Sequence, residues 1–350
     1  MSFARCLLAL FLLLPPSFRL ALPGYHWQFP RDDYAHAHFA NEWWYFTGNL
    51  HTAQGRAFGF ELTFFRISPF PGATLRQDLY FTHFAITDVA AKRFLLDTRA
   101  RRGDWSQAGL TPLAASGFTL FNENWRARFG ASGPVRLRAA WGVQPRMALD
   151  LRLVPGPRML NGVHGWSQKG SASGQASYYY SFPHLRASGT INGHAVSGLA
   201  WMDHEFASNQ LSPHQQGWDW MGLHLPAGDL MLFNLRRVGG GRDPHSAGTW
   251  LPRGGRPLAL GAGDFTLTPL HAWHGYPVAW RIAAPKLGLQ ATVTARLDDQ
   301  LVHDPVIGVT YWEGAVAVHG RQQGRAIAGE GYLELTGYGR RFTLLQSSIR

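Results

Sequence analysis

GTINGHAVSGLAWMD, residues 189 to 203, and GRQQGRAIAGEGYLE, residues 320 to 334, are one segment written twice. Without a gap, Gly189, Gly193, Val196, Gly198, Ala200, Trp201, Met202 and Asp203 fall on Gly320, Gly324, Ile327, Gly329, Gly331, Tyr332, Leu333 and Glu334. Each copy reads as a hairpin: a glycine-rich turn, then a strand in which small residues precede an aromatic and an acid. An internal repeat marks a duplicated unit. The chain is therefore expected to hold two related β domains, each ending in this hairpin. The join is expected near residues 207 to 216 (ASNQLSPHQQ), a polar stretch containing Pro213.

Outward from the repeat, apolar and polar residues alternate in short stretches, as in EWWYFTGNL (42 to 50), RAFGFELTFFR (56 to 66), LYFTHFAITD (79 to 88), MALDLRLVP (147 to 155), DLMLFNLRRV (229 to 238) and LQATVTARL (289 to 297). That period belongs to antiparallel strands, and the 40 glycines and 21 prolines supply the turns between them. An all-β chain without disulfides has open strand edges to deal with, and closing its sheets into barrels removes them. The expectation is an all-β fold of two tandem antiparallel β-barrel domains, residues 22–210 and 211–350.

Arg5 precedes the apolar run CLLALFLLLPP (6 to 16), which is too short to span a bilayer as a helix and suits a signal-peptide core. Residues 1–21 are thus expected to be an export signal, with a mature start near Leu22 and a periplasmic or extracellular location; the alternative is a retained signal anchor, since Arg19 stands where a cleavage site prefers a small residue. The single cysteine, Cys6, lies in that run, so a processed chain has no thiol, disulfide or cysteine metal ligand. The net charge of +11 invites a nucleic-acid reading. All but Lys92, Lys169 and Lys286 of the 33 basic residues are arginine, however, and they are scattered through strand-like segments. That pattern fits solubility near an anionic surface better, with a membrane surface as a partner and no nucleic acid.

The stretch GLAWMDHEF (198 to 206) carries the chemistry. In an extended strand Trp201, Asp203 and Glu205 share one face, and Met202, His204 and Phe206 the other. Two carboxylates spaced this way sit about 7 Å apart, and an apolar interior raises the pKa of at least one. A neutral carboxylic acid beside an aromatic wall is a proton donor. The structural alternative is that Asp203 pairs with an arginine or caps a turn, and the matching acid Glu334 suits an architectural role. A metal reading would use His204, Glu205 and the pair His36 and His38. Among 16 histidines chance pairs are expected, and His204 and Glu205 face opposite ways, so no metal is expected.

No G-x-S-x-G elbow, phosphate-binding loop or dinucleotide fingerprint occurs, which leaves esterase and nucleotide chemistry without support. Aromatic residues cluster instead: Trp43, Trp44 and Tyr45; Phe58, Phe60 and Phe64; Tyr178, Tyr179 and Tyr180; Trp218 and Trp220. For most of them ordinary core packing is the expected role, but a barrel lining a cavity with some of them would accept a long apolar molecule. Trp43, Trp44, Tyr45, Tyr180, Trp218 and Trp220 are the expected ligand contacts.

The runs PRDDYAHAHFANEWWYFTGNL (30 to 50), SGLAWMDHEF (197 to 206) followed by GWDWMGLHL (217 to 225), and YWEGAVAVHG with GEGYLELTGY (311 to 338) resemble the AttH and hydroxyneurosporene synthase family. This lipocalin-like group includes carotenoid 1,2-hydratases. The resemblance covers nearly the whole chain after the signal and implies two tandem lipocalin-like barrels. For function it implies two readings. One is a periplasmic protein that binds a hydrophobic lipid or isoprenoid, an accessory of an ABC transporter permease. The other is a cofactor-independent hydratase, or a secreted hydrolase. In the hydratases the acid of a Trp/Tyr-x-Asp-His motif protonates an isoprenoid double bond. That acid matches Asp203, with Trp201, His204 and Glu205 around it. The sequence departs from the hydratase pattern after Asp203, where His204, Glu205 and Phe206 replace the expected Asn and Trp, and is closer to the AttH branch.

Overall fold

The computed structural model describes residues 17–113, 117–130, 133–142 and 147–341, so the apolar core of the expected export signal, residues 6 to 16, lies outside the described residues. The expected start at Leu22 falls within a segment tied to the body of the protein. Arg19 N–H donates to the His38 carbonyl, Ser208 Oγ donates to the Arg19 carbonyl, and Ala21 is buried.

The chain is all-β and antiparallel, in two sheets divided between Asn209 and Gln215. The first sheet has 13 strands and the second 10. In each, the first strand pairs with the second strand of the repeated hairpin: Asn41–His51 with His194–Asn209, and Gln215–Leu225 with Arg325–Thr336. The first sheet curls into a nearly closed barrel. Asn122 Nδ2 donates to Thr82 Oγ1, and Arg99 donates to Asn124 Oδ1, joining strands far apart in the ladder order. Alternation decides what lies inside: Phe46, Phe58, Phe60, Phe64, Leu137 and Leu151 fill this barrel, while Leu223, Leu232, Val293, Trp312 and Leu333 fill the curl of the second sheet. Phe58, Phe60 and Phe64, which share one strand face, are packed core residues at no more than 1% exposure.

The two copies of the repeat are hairpins with matching turns. Ala176–Ile191 and His194–Asn209 turn at Asn192 and Gly193 (φ 48° and 79°), and Val309–Gln322 and Arg325–Thr336 turn at Gln323 and Gly324 (φ 50° and 76°). Two successive positive φ angles mark the two-residue turn whose twist matches that of the flanking strands. The turns close equivalent pairs, Ile191 with His194 and Gln322 with Arg325. The register then places Tyr45 opposite Asp203 in the first sheet and Trp220 opposite Glu334 in the second.

A third apolar cluster lies between the sheets, built by Tyr45, Tyr179 and Trp201 from one and Trp220, Met231, Phe233 and Tyr332 from the other. The contact is close. Asn49 Nδ2 donates across it to the Gly331 carbonyl, and Tyr45 OH to Glu313 Oε1 at 2.8 Å.

Candidate functional site

The face of the His194–Asn209 strand that carries Trp201, Asp203 and Glu205 points into this junction, and a cavity opens there. It is partly open to solvent and is lined by residues of both sheets. Its walls are aromatic: Trp43, Tyr45, Phe65, Phe81, Tyr179, Trp218, Trp220, Phe233 and Tyr311. Asp203, Glu205, Glu313 and Glu334 line it too, with Lys169 and His83.

Asp203 is held by three donors. Trp201 Nε1 and Ser181 Oγ each donate to Oδ1 at 2.6 Å, and Tyr179 OH donates to Oδ2 at 2.8 Å. Trp220 Nε1 in turn donates to the Tyr179 oxygen, so the second sheet braces the acid of the first. A carboxyl group offers about four lone-pair positions, and three are filled here. The acidic proton is left a place on Oδ2. Burial pushes Asp203 up to about 7 in spite of these donors, with Glu205 adding to the rise. The side chain is thus poised between acid and conjugate base near neutral pH, and the same three donors stabilise the anion left when the proton departs.

Glu334, the counterpart of Asp203 in the second hairpin, lines the same cavity. Burial raises it to about 8, against the donation from Trp218 Nε1 at 2.9 Å, and Glu61, Asp203 and Glu205 reinforce the rise. Glu313 is also raised, by burial and then by Glu61 and Glu334. Glu205 is paired with Lys169 Nζ at 3.3 Å, and that ammonium lies 4.0 Å from the Phe233 ring centroid. Tyr311 OH lies 3.1 Å from Glu61 Oε1 and 2.6 Å from His83 Nδ1, and His83 Nε2 reaches Asp304 Oδ2 at 3.2 Å.

A family model described as AttH-like matches residues 20–338. The chain belongs to the AttH-like family. A crystal structure described as AttH, from Nitrosomonas europaea, is 33% identical, covers 93% of this chain and 100% of its own, and superposes with a TM-score of 0.79. Kievitone hydratase from Nectria haematococca shares the fold at 13% identity, covering 93% of this chain and 98% of its own with a TM-score of 0.66. A search among curated proteins finds no match.

Within this AttH-like fold, the residues singled out from the sequence separate onto two sides of the sheet. Asp203 and Glu205 join Trp43, Tyr45, Trp218 and Trp220 in lining the cavity, and Trp201 lies buried behind Asp203 as one of its donors. His204, set on the opposite face by the same two-residue alternation, lies on the barrel side, and Trp44 and Tyr180, expected as ligand contacts, lie there with it. There His204 Nε2 is 2.8 Å from Glu42 Oε1, its Nδ1 is 3.1 Å from Tyr180 OH, and its ring stacks on Trp44. Burial lowers the His204 pKa. His36 joins this cluster through Nδ1, 2.7 Å from Glu42 Oε1. His36, Glu42 and His204 could together hold a metal ion, but Arg66 Nε already donates to Glu42 Oε2, and Arg66 also binds Asp78. Burial would raise Glu42, yet His36, His204 and Arg66 hold it well below the usual carboxylate range. The carboxylate is thus satisfied by groups of the chain itself. In the metal set read from the sequence, Glu205 and His38 have no part in this cluster. A second histidine pair, His184 and His224 on Asp229, is likewise served by Arg253, 3.0 Å from Asp229.

Glu61, His83, Lys169, Tyr179, Tyr311 and Glu313 were not foreseen as site residues. Two carried a usable signal: GFELTFF and YWEGAVAV each set one acid inside an apolar strand, as WMDHEF does.

Proposed function

We propose that the junction cavity is the site of a cofactor-independent hydratase acting on an apolar alkene of the isoprenoid class, with Asp203 as the general acid. The observation that carries this reading is the Asp203 carboxyl: buried, fixed by three donors, and left one position for a proton in an aromatic cavity. The proton passes from Oδ2 to one alkene carbon, the π pair forms the new C–H bond, and the adjacent carbon becomes cationic. Aromatic faces such as those of Trp43, Trp218 and Trp220 stabilise that cation as they do other cations. Water adds to it through oxygen, and its surplus proton returns to the Asp203 carboxylate, restoring the acid. The product is an alcohol, and no redox partner is consumed. A hydratase among the solved structures of this architecture supports the chemistry on this fold.

The aromatic lining also suits a second reading: a periplasmic carrier that holds the same apolar ligand, beside an ABC transporter, without altering it. One experiment separates the two. Purified protein is incubated with a panel of isoprenoid alkenes in ¹⁸O-labelled water, and the extracts are read by mass spectrometry. Hydration predicts an alcohol carrying one ¹⁸O, formed by the wild type and lost in Asp203→Asn. Retention of unchanged alkene by both proteins supports the carrier. Turnover that survives in Asp203→Asn overturns the acid assignment.

A further inference from the structure

Six of the arginines scattered along the sequence are gathered by strand register onto one outer wall of the first barrel. On Trp125–Phe129, Val135–Trp141, Met147–Pro155 and Ala176–Ile191, neighbouring strands in the ladder, the inward residues Ala127, Leu137, Leu151 and Ala187 are buried in the barrel core. The outward residues between them include Arg126, Arg128, Arg136, Arg138, Arg152 and Arg186, all exposed. Arg126 lies directly opposite Arg138, Arg128 opposite Arg136, and Arg136 opposite Arg152. Like charges facing each other across a ladder destabilise a sheet. Among the described residues, one carboxylate is paired with this wall: Asp150, which takes Arg136 and Arg138 at 2.9 and 3.0 Å. Among the described residues no carboxylate pairs with Arg126, Arg128, Arg152 or Arg186.

We infer that this wall is a docking surface for an anionic phospholipid bilayer. The four strands spread the guanidinium groups over about 14 Å across the sheet, as a two-dimensional array and not along a groove. That array lies on the outer wall of a barrel, which meets a broad, deformable layer of headgroups more readily than the rounded backbone of a duplex. A guanidinium presents a planar fork that matches phosphate oxygens, and clustered basic residues draw a protein to an anionic leaflet. This inference rests on charge and register alone and is independent of the Asp203 reading.

The test is co-sedimentation of the full chain with vesicles of phosphatidylcholine alone and with vesicles holding 30% phosphatidylglycerol, at low salt and at 0.5 M salt, about where screening reaches a few ångströms. Binding is expected only to the anionic vesicles and is expected to fall at high salt. Arg126→Gln, Arg136→Gln and Arg152→Gln combined should weaken it at least tenfold. The combination Arg256→Gln, Arg281→Gln and Arg325→Gln, which removes the same charge from exposed positions of the other sheet, should leave it within twofold. All six sites are exposed, so both variants should stay folded, with melting temperatures within a few degrees of the wild type. Equal binding to neutral vesicles, equal loss in the two triple variants, or tighter binding to duplex DNA than to the anionic vesicles overturns the inference.

Discussion

Asp203 and Glu334 occupy the same position in two hairpins from different halves of the chain, and both line one cavity. An acid present in both copies suits architecture when each copy is read alone. With the hairpins set side by side, the repeat concentrates buried acids at a single place. Desolvation and mutual repulsion there raise Asp203 to about 7 and Glu334 to about 8.

That concentration costs stability in a pH-dependent way, and the direction can be worked out for Asp203. Below about pH 4 the carboxyl is protonated both folded and unfolded, and contributes no slope. From there to about pH 7 the unfolded chain gives up its proton first, so stability falls as pH rises, and above 7 the loss is complete. Asp203→Asn removes this share. The variant is expected to gain on the wild type by about 2 to 4 kcal/mol between pH 4 and pH 9. Urea denaturation at both pH values measures it, and an unchanged difference would show that Asp203 ionises normally.

A second prediction concerns how tightly the sheets meet. A Cβ on Gly59 would lie 2.7 Å from Ala315 Cβ and 2.8 Å from the Tyr332 hydroxyl, both on the other sheet. These atoms belong to packed strands and have little room to withdraw. Gly59→Ala should therefore cost about 1 to 3 kcal/mol. It should also speed proteolysis between residues 209 and 215. Unchanged melting and cleavage would mean that the junction is looser than its packing indicates.

Arg66 supports a third. It is fully buried between Glu42 and Asp78 and also donates to the His36 and Phe39 carbonyls, pinning the segment that leads into the first strand. Arg66→Met strands two buried carboxylates, and a loss of about 3 to 5 kcal/mol is expected by denaturant titration. Arg136→Met, at an exposed salt bridge, should cost under about 1 kcal/mol.

The fold was legible because its evidence is local and periodic. Alternation marks strands, and the doubled GTINGHAVSGLAWMD marks two sheets with matching hairpins. The site was legible only in part. Alternation correctly separated Asp203 from His204, but no sequence pattern states which face of the sheet holds the cavity, and a barrel interior was the natural guess for aromatic residues. The packing of the second sheet against the first decides it, turning Trp43, Trp218 and Trp220 into walls and leaving Trp44 and Tyr180 in another cluster. Lys169 and His83 reach the cavity through contacts between distant parts of the chain, which spacing along the sequence does not record. The arginine wall was hidden for the same reason, since register across four strands assembled it.

The hairpin turns supply the last prediction, because the register of the acids depends on them. Gly193 and Gly324 adopt left-handed φ angles of 79° and 76°, and a Cβ at either would meet nothing within 4 Å. The cost of alanine there is conformational, about 1 kcal/mol at each site. The sites belong to different sheets, so the two costs should add in Gly193→Ala/Gly324→Ala to within about 0.5 kcal/mol. Neither change alters the register, so binding of an apolar fluorescent probe in the cavity should be unaffected. Deleting Gly193 is different. A shift of one residue turns Asp203 and Trp201 toward the barrel and Met202 and His204 toward the junction. The protein should then lose probe binding even where circular dichroism still reports β structure. Full binding after that deletion would mean that the ladder to Asn41–His51, and not the turn, sets the position of Asp203.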